Sequence, residues 1–253
     1  MRPVVVLLFV ACAAMPASAY RPFVSTDAAV ADPGDVEVEF GAIGFRSDGG
    51  AKSLIAPTVI GNFGVARDLE LVAEFKLVND LSHAEEDRTR FEDTAVSLKW
   101  VAHEGVLQER GSAPSLAVEL SLLVPTLRGQ HRPGGELVGI MSGTGFGWTY
   151  HLNGGVLVEP SETSAVPVWG VIVEHALAAG VRAVAEVNGE SATGAGPDDS
   201  ALIGAIWEVK APAPIHELAF DIGLRHGITH DAAEWGGTAG FTIAFPFRNK
   251  EEP

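Results

Sequence analysis

From about residue 35 onward the chain alternates. Val36, Val38 and Phe40 interleave with Glu37, Glu39 and Gly41, and Leu69, Leu71, Ala73, Phe75 and Leu77 interleave with Glu70, Glu74 and Lys76. Near the end, Leu218, Phe220, Ile222 and Leu224 interleave with Glu217, Ala219, Asp221, Gly223 and Arg225. A period of two places successive side chains on opposite faces of a strand. One face is apolar, and the other repeatedly carries charge at mid-strand. A water-soluble sandwich has no use for that combination, whereas a barrel with a wet interior and a lipid-facing exterior requires it. The pattern predicts an all-β protein: an antiparallel up-and-down transmembrane β-barrel of about 12 strands. They are expected near 35–47, 52–63, 68–78, 92–103, 114–125, 136–144, 146–158, 167–177, 180–189, 200–209, 215–226 and 236–247. No apolar spacing holds to steps of three and four for a full helical length.

The connections carry a second signal. The joins after the second, sixth, eighth and tenth runs are tight, as at Gly64-Val65-Ala66-Arg67 and Leu177-Ala178-Ala179-Gly180. Those after the third, fifth, seventh, ninth and eleventh are mostly longer and polar, for example Asn79 to Phe91 and Asn188 to Ser200. Short turns at one end and long loops at the other follow the rule for outer-membrane barrels, and an even strand count returns both termini to the short-turn end. Two joins break the rule. Ser47-Asp48-Gly49-Gly50 is a tight Asp-Gly turn where a loop is expected, and Glu104 to Pro114 is long where a turn is expected. On the apolar phase lie Phe40, Phe75, Trp100, Trp148, Tyr150, Trp169, Trp207, Phe241, Phe245 and Phe247, several near strand ends where an interfacial aromatic belt sits.

The first residues read differently. Arg2, an apolar run from Val4 to Ala14 and the small-x-small triplet Ala17-Ser18-Ala19 form an export signal, with the mature chain expected from Tyr20. Phe9-Val10-Ala11-Cys12 matches a lipoprotein box only loosely, because Phe9 is a poor first residue. Cys12 is the single cysteine, so loss of the leader leaves no thiol or disulfide chemistry. The expected organisation is a removable leader at 1–19, an N-terminal periplasmic or plug segment at 20–34, the barrel at 35–247 and a tail at 248–253. A formal charge of −16 argues against nucleic acid as a partner, since few basic groups are there to release phosphate counterions.

Several pieces in order resemble one family. They are Pro22-Phe23-Val24-Ser25-Thr26-Asp27-Ala28 with Pro33-Gly34-Asp35-Val36-Glu37, and Gly64-Val65-Ala66-Arg67-Asp68-Leu69-Glu70-Leu71. Then come Asp93 to Trp100, Ser115 to Thr126, His151-Leu152-Asn153-Gly154-Gly155, Gly170 to Glu190 and Asp221 to Thr229. Together, from about Arg21 to Phe247, they resemble the outer-membrane proteins associated with the meta-pathway of phenol degradation. The resemblance implies a small barrel in the outer membrane of a Gram-negative bacterium, admitting hydrophobic or aromatic solutes by passive passage. The expected partners are surrounding lipid, periplasmic chaperones and the barrel insertion machinery, with a passive conduit needing no cofactor and no enzymatic activity expected. Such barrels usually end on an aromatic residue. Here Phe241, Ile243, Phe245 and Phe247 keep the phase, but Arg248 to Pro253 run past it.

The inward phase carries the candidate site: Glu37, Glu39, Glu70, Glu74, Lys76, Lys99, Glu119, His151, Asn153, Glu174, Arg182, Glu186, Glu208, Asp221 and Arg225. These residues either line a pathway and select what passes, or pair with one another in a closed interior. The carboxylate surplus favours cations or neutral solutes over anions. A closed barrel with ligand-binding outer loops is therefore the alternative, and a lipid-modifying barrel enzyme a third reading. For the last, His151 with Asn153 and Ser142 or Ser97 can only be forced into a nucleophile set, since no nucleophile motif surrounds either serine and Gly-x-Ser-x-Gly is absent. The eight histidines (His83, His103, His131, His151, His175, His216, His226 and His230) are scattered; His226, His230 and Asp231 alone come close in sequence, and no metal site is expected.

Overall fold

The computed structural model describes residues 21–82, 88–128, 130–191 and 196–247. The leader with Cys12, Tyr20, His83 and the tail at 248–253 lie outside these residues. The strands are β1 (Asp35–Asp48), β2 (Ala51–Ala66), β3 (Leu69–Asp80), β4 (Thr89–His103), β5 (Ser115–Leu123) and β6 (Gly134–Gly145). They continue with β7 (Trp148–Val158), β8 (Val166–Ala178), β9 (Val181–Ser191), β10 (Pro197–Glu208), β11 (Glu217–Gly227) and β12 (Trp235–Pro246). Each strand pairs antiparallel with its neighbours in sequence, and β1 pairs with β12 to close a 12-strand barrel. Closure leaves no unpaired edge, which is what lets strands sit in hydrocarbon.

Register fixes the two faces. Phe40 of β1 lies opposite Phe241 of β12, which lies opposite Phe220 of β11, so all three share the outer face. Glu37, Glu39 and Gly41 point inward with Thr242, Gly240 and Asn62 as cross-strand partners or neighbours. The outer face is apolar and open: Leu120, Ile203 and Ile222 are 59–67% exposed. Soluble monomers rarely expose a contiguous apolar surface of this kind, which marks contact with a partner or with lipid. Bulges between Gly41 and Ile43, Ile55 and Thr58, and Glu74 and Lys76 reset the alternation without swapping the faces.

The interior is not a bare bore. Residues 21–33 run inside it, entering at Gly34, whose N–H donates to the Gly64 carbonyl at 2.9 Å while its own carbonyl accepts from Phe247 N–H at 2.8 Å. Phe23 packs on the inward aliphatics Ile172, Val184, Leu202 and Ile206, so the barrel's apolar core is made by the wall and completed by one side chain of this segment. The long join between β4 and β5 also folds inward. Its one 3-10 turn, Val106–Gln108, buries Leu107 against Ala28, Ala117 and Ile140, and Gln108 Nε2 donates to the Ala28 carbonyl at 2.8 Å. This join is long because it helps close the end of the barrel that carries the termini.

Candidate functional site

The N-terminal segment is held by groups from seven strands. Arg21 Nε and Nη2 donate to the two carboxylate oxygens of Asp221 on β11 at 3.1 and 3.0 Å, and Nη2 also donates to Thr238 Oγ1 on β12 at 2.6 Å. The Glu186 carboxylate of β9 accepts from the main-chain N–H groups of Val24 and Ser25, the latter at 2.7 Å. Asn153 on β7 works in both directions. Its Nδ2 donates to the Thr26 carbonyl at 2.8 Å and its Oδ1 accepts from Thr26 N–H at 3.2 Å. Lys99 on β4, fully buried, donates to Thr26 Oγ1 at 3.1 Å and faces Asp27 Oδ1 at 3.4 Å. Ser142 on β6 accepts from Ala28 N–H at 2.9 Å, and Glu70 on β3 accepts from Ala31 N–H at 2.5 Å. The segment has no strand of its own to pair with. Its backbone donors must therefore be met by side chains, and inward carboxylates meet them.

Inward glycines make the room. A Cβ at Gly64 would come within 2.6 Å of the Ala31 carbonyl oxygen, one at Gly170 within 2.9 Å of Ser25 Cβ, and one at Gly223 within 3.1 Å of Pro22 Cβ. The cross-strand pair Gly41 and Gly240 lies directly beneath the Arg21 guanidinium, and a Cβ at Gly240 would sit 2.7 Å from Arg21 Nη2. Any side chain at these positions would occupy the space of the segment.

Above the segment, towards the loops at the other end, lies a cavity of about 760 Å³. Residues 21–26 form its floor. Eight carboxylates line it (Glu74, Glu92, Asp93, Glu119, Glu136, Glu159, Glu190 and Asp198) against the basic groups of Arg21, Arg46, Lys76 and Arg225. Lys76 pairs with Asp93 at 2.5 Å, Arg46 with Glu92 at 3.3 Å, and Arg225 with Glu186. Between the charges the wall is aliphatic, with Ile60, Val72, Leu123, Leu157, Val168 and Leu202. At the rim, burial and the nearby carboxylates of Glu190, Asp93 and Glu162 push the Glu159 carboxyl above its usual range.

The candidate residues divide between these two regions. Glu74, Lys76, Glu119, Asn153 and Arg225 line the cavity. Glu37, Glu39, Glu70, Lys99, His151, Glu174, Glu186 and Asp221 are buried in the half of the barrel that the segment fills. Arg182 bridges Glu174 and Glu208, both at 3.2 Å. Of the aromatic residues, Trp100, Trp148, Trp169 and Trp207 are exposed on the outer face, Tyr150 lies over Gly143, and Phe40, Phe75, Phe241 and Phe245 are half-buried there. Phe247 is exposed just past the last strand. Sequence reading omitted Phe45, Phe91 and Trp235 from this set. It also omitted Arg21 and the inward glycines from the site, because their role depends on contacts far along the chain.

Ser142, His151 and Glu174 form a connected chain. Ser142 Oγ is 2.8 Å from His151 Nδ1, and His151 Nε2 is 3.0 Å from Glu174 Oε1. Ser142 Oγ already accepts from Ala28 N–H, so its hydroxyl is free to donate to His151 Nδ1, with Nε2 facing Glu174. The network has the members of a nucleophile system but not its access. Ser142 and His151 are fully buried, and the Ser142 oxygen is occupied by Ala28 N–H. The chain braces the wall against the segment. His226 stacks on Trp235 at 4.3 Å while His230 lies beside Asp231 at 3.4 Å, so the two histidines do not converge. Among the described residues no group of three or more His, Cys, Asp or Glu is arranged to hold a metal ion.

No family model matches the chain, and no curated protein matches it in sequence. Its fold resembles that of an outer membrane channel from Pseudomonas putida F1, with a TM-score of 0.54 at 11% identity, covering 85% of this chain and 94% of that one. Matches of lower TM-score include the CymD monoaromatic hydrocarbon channel (0.48, 8% identity, 87% of this chain and 90% of that one). Another is the translocator domain of the autotransporter NalP from Neisseria meningitidis (0.45, 12% identity, 85% and 89%). At 11% identity the first likeness is one of fold, a closed antiparallel barrel of the kind found in outer membranes.

Proposed function

We propose that the protein is a channel of the outer membrane that admits small solutes from outside the cell by passive passage, with its N-terminal segment seated across the periplasmic half of the bore. The observation that carries this reading is the cavity of about 760 Å³, which ends on a segment held by side chains rather than on a continuous wall. The exposed apolar outer face supports a place in lipid, and the termini at the short-turn end support a periplasmic origin of the segment. Aliphatic panels between carboxylates suit solutes with an apolar or aromatic body that are neutral or cationic. The buried Ser142–His151–Glu174 chain, closed off from the cavity, supports a non-enzymatic role.

A second reading, a closed barrel that recognises ligands with its outer loops, draws support from the buried Lys99–Asp27 and Arg21–Asp221 pairs that hold the segment in place. Solute entry into proteoliposomes separates the two. The reconstituted protein and a form lacking residues 21–31 are compared for uptake of a small aromatic amine and of benzoate. The channel reading expects entry of the amine ahead of benzoate, faster in the shortened form. No entry through either form assigns the barrel to the closed class.

A further inference from the structure

We propose that Asp221, Thr238, Gly41 and Gly240 form a wall-mounted seat for planar cationic groups, guanidinium or amidinium, which Arg21 fills at rest and which a solute bearing such a group takes over. The seat has the parts such a ligand needs. A buried carboxylate offers both oxygens to two nitrogens of one plane, at 3.1 and 3.0 Å, and a hydroxyl accepts from the same edge at 2.6 Å. Two glycines paired across the β1–β12 seam leave a flat floor under that plane, where any Cβ would collide with it. A compact ammonium would meet one of these oxygens at a time, whereas a guanidinium fork meets both.

The seat is also within reach. Arg21 and Thr238 line the outer cavity while Asp221, in contact with Arg21, does not, so the carboxylate opens to the cavity as Arg21 leaves; a solute descending through the cavity passes twice as many carboxylates as basic groups. Arg21 therefore behaves as a tethered ligand. It occupies the seat at the effective concentration its short tether imposes, and a free competitor must exceed that concentration to displace it. Displacement removes the Arg21–Asp221 ion pair, the one side-chain ion pair that the outer end of the segment makes among the described residues, and so shifts the segment towards release. The seat is a property of the wall. Its existence goes beyond the channel reading and does not depend on solutes crossing the barrel.

The test is direct binding to the refolded full-length protein in detergent, by titration calorimetry with methylguanidinium. Methylammonium (charge without the fork) and urea (the fork without charge) serve as controls. Arg21→Ala vacates the seat and is expected to bind methylguanidinium at least tenfold tighter than the parent, with no such gain for either control. Adding Asp221→Asn should abolish the gain. Equal binding by Arg21→Ala and the parent, or an equal gain for methylammonium, overturns the proposal. Should Arg21→Ala fail to migrate as a folded barrel in unheated detergent gels, the unaltered wall is used instead. A nitroxide at Val24→Cys, a position 64% exposed as valine, is expected to gain mobility with methylguanidinium and not with urea. An unchanged spectrum with both overturns the proposal. Failure of uptake with success here removes the channel reading and leaves the seat; the reverse removes the seat alone.

Discussion

Arg21 and Asp221 stand 200 positions apart in the chain and meet as a two-pronged ion pair inside the barrel, with both side chains almost wholly buried. Breaking a buried pair by removing one partner leaves the other charge uncompensated, at a cost of about 3–5 kcal/mol. Asp221→Asn is therefore expected to loosen the segment. Limited proteolysis within residues 21–33 should accelerate in Asp221→Asn while the strands stay protected. Equal protection in both forms contradicts the anchoring role.

Ile222 lies on the outer face, 62% exposed, between the outward Phe220 and Leu224. In lipid an arginine here costs about 2–4 kcal/mol near the midplane. At an exposed position in water it costs little. Ile222→Arg should lower the temperature at which the barrel loses its folded gel mobility, and Ala219→Ser, on the inner face, should do so much less. An Ile222→Arg barrel as heat-resistant as the parent would argue for a water-soluble protein.

Gly64 is the gatepost where the segment enters. A Cβ there meets the carbonyl oxygens of Ala31 and Asp32, which are backbone atoms without a rotamer to escape into. Gly64→Ala should displace the segment without unfolding β2 and β3. The expected signature is a higher resting conductance in planar bilayers with unchanged strand content by circular dichroism.

Ser142 accepts from Ala28 N–H and shares a hydrogen bond with His151 Nδ1, so Ser142→Ala leaves two buried groups short of a partner. Each such loss costs about 1–3 kcal/mol. The variant should melt earlier than the parent. Short-chain nitrophenyl esters should be hydrolysed at the same background rate by both. An esterase rate that falls with Ser142→Ala would restore the enzyme reading.

Glu159 sits outside the strands, and its carboxyl is raised above the usual 4.5 by burial first and by Glu190, Asp93 and Glu162 next. A raised carboxyl lends stability while it is protonated, below its unfolded value, and loses that contribution as pH rises through the folded value. Glu159→Gln cannot ionise. It should match the parent in apparent melting temperature well below pH 4.5 and exceed it increasingly towards neutrality. The reverse slope would mean that the rim carboxylates are stabilised by unseen cations.

Most of the barrel was legible in the sequence, because a period of two is a local signal. β8 was expected at 167–177 and spans Val166–Ala178, and β11 was expected at 215–226 and spans Glu217–Gly227. The start of β4 at Thr89 rather than 92 was hidden by the bulge at Asp93, which breaks the alternation and takes a positive φ of 46°. The polar phase correctly gathered the inward charges. It did not distinguish those lining the cavity from those gripping the segment, since that depends on which side chains meet across more than a hundred residues. Ser142, His151 and Glu174 become neighbours only through the β6–β7 and β7–β8 registers. The inward glycines were the overlooked clue. Gly41, Gly64, Gly170, Gly223 and Gly240 recur on the phase that otherwise carries bulky charge, and each leaves space for a piece of residues 21–33.

The position of Gly41 and Gly240 has a consequence for assembly. One belongs to the first strand and the other to the last, and they face each other only across the seam where the sheet becomes a ring. Asp221 and Thr238 are likewise contributed by the final two strands. The resting place of Arg21 therefore does not exist in an open sheet or in a chain cut short. It comes into being as the ring shuts, and residues 21–33 act as a clasp that can fasten only on a finished hoop.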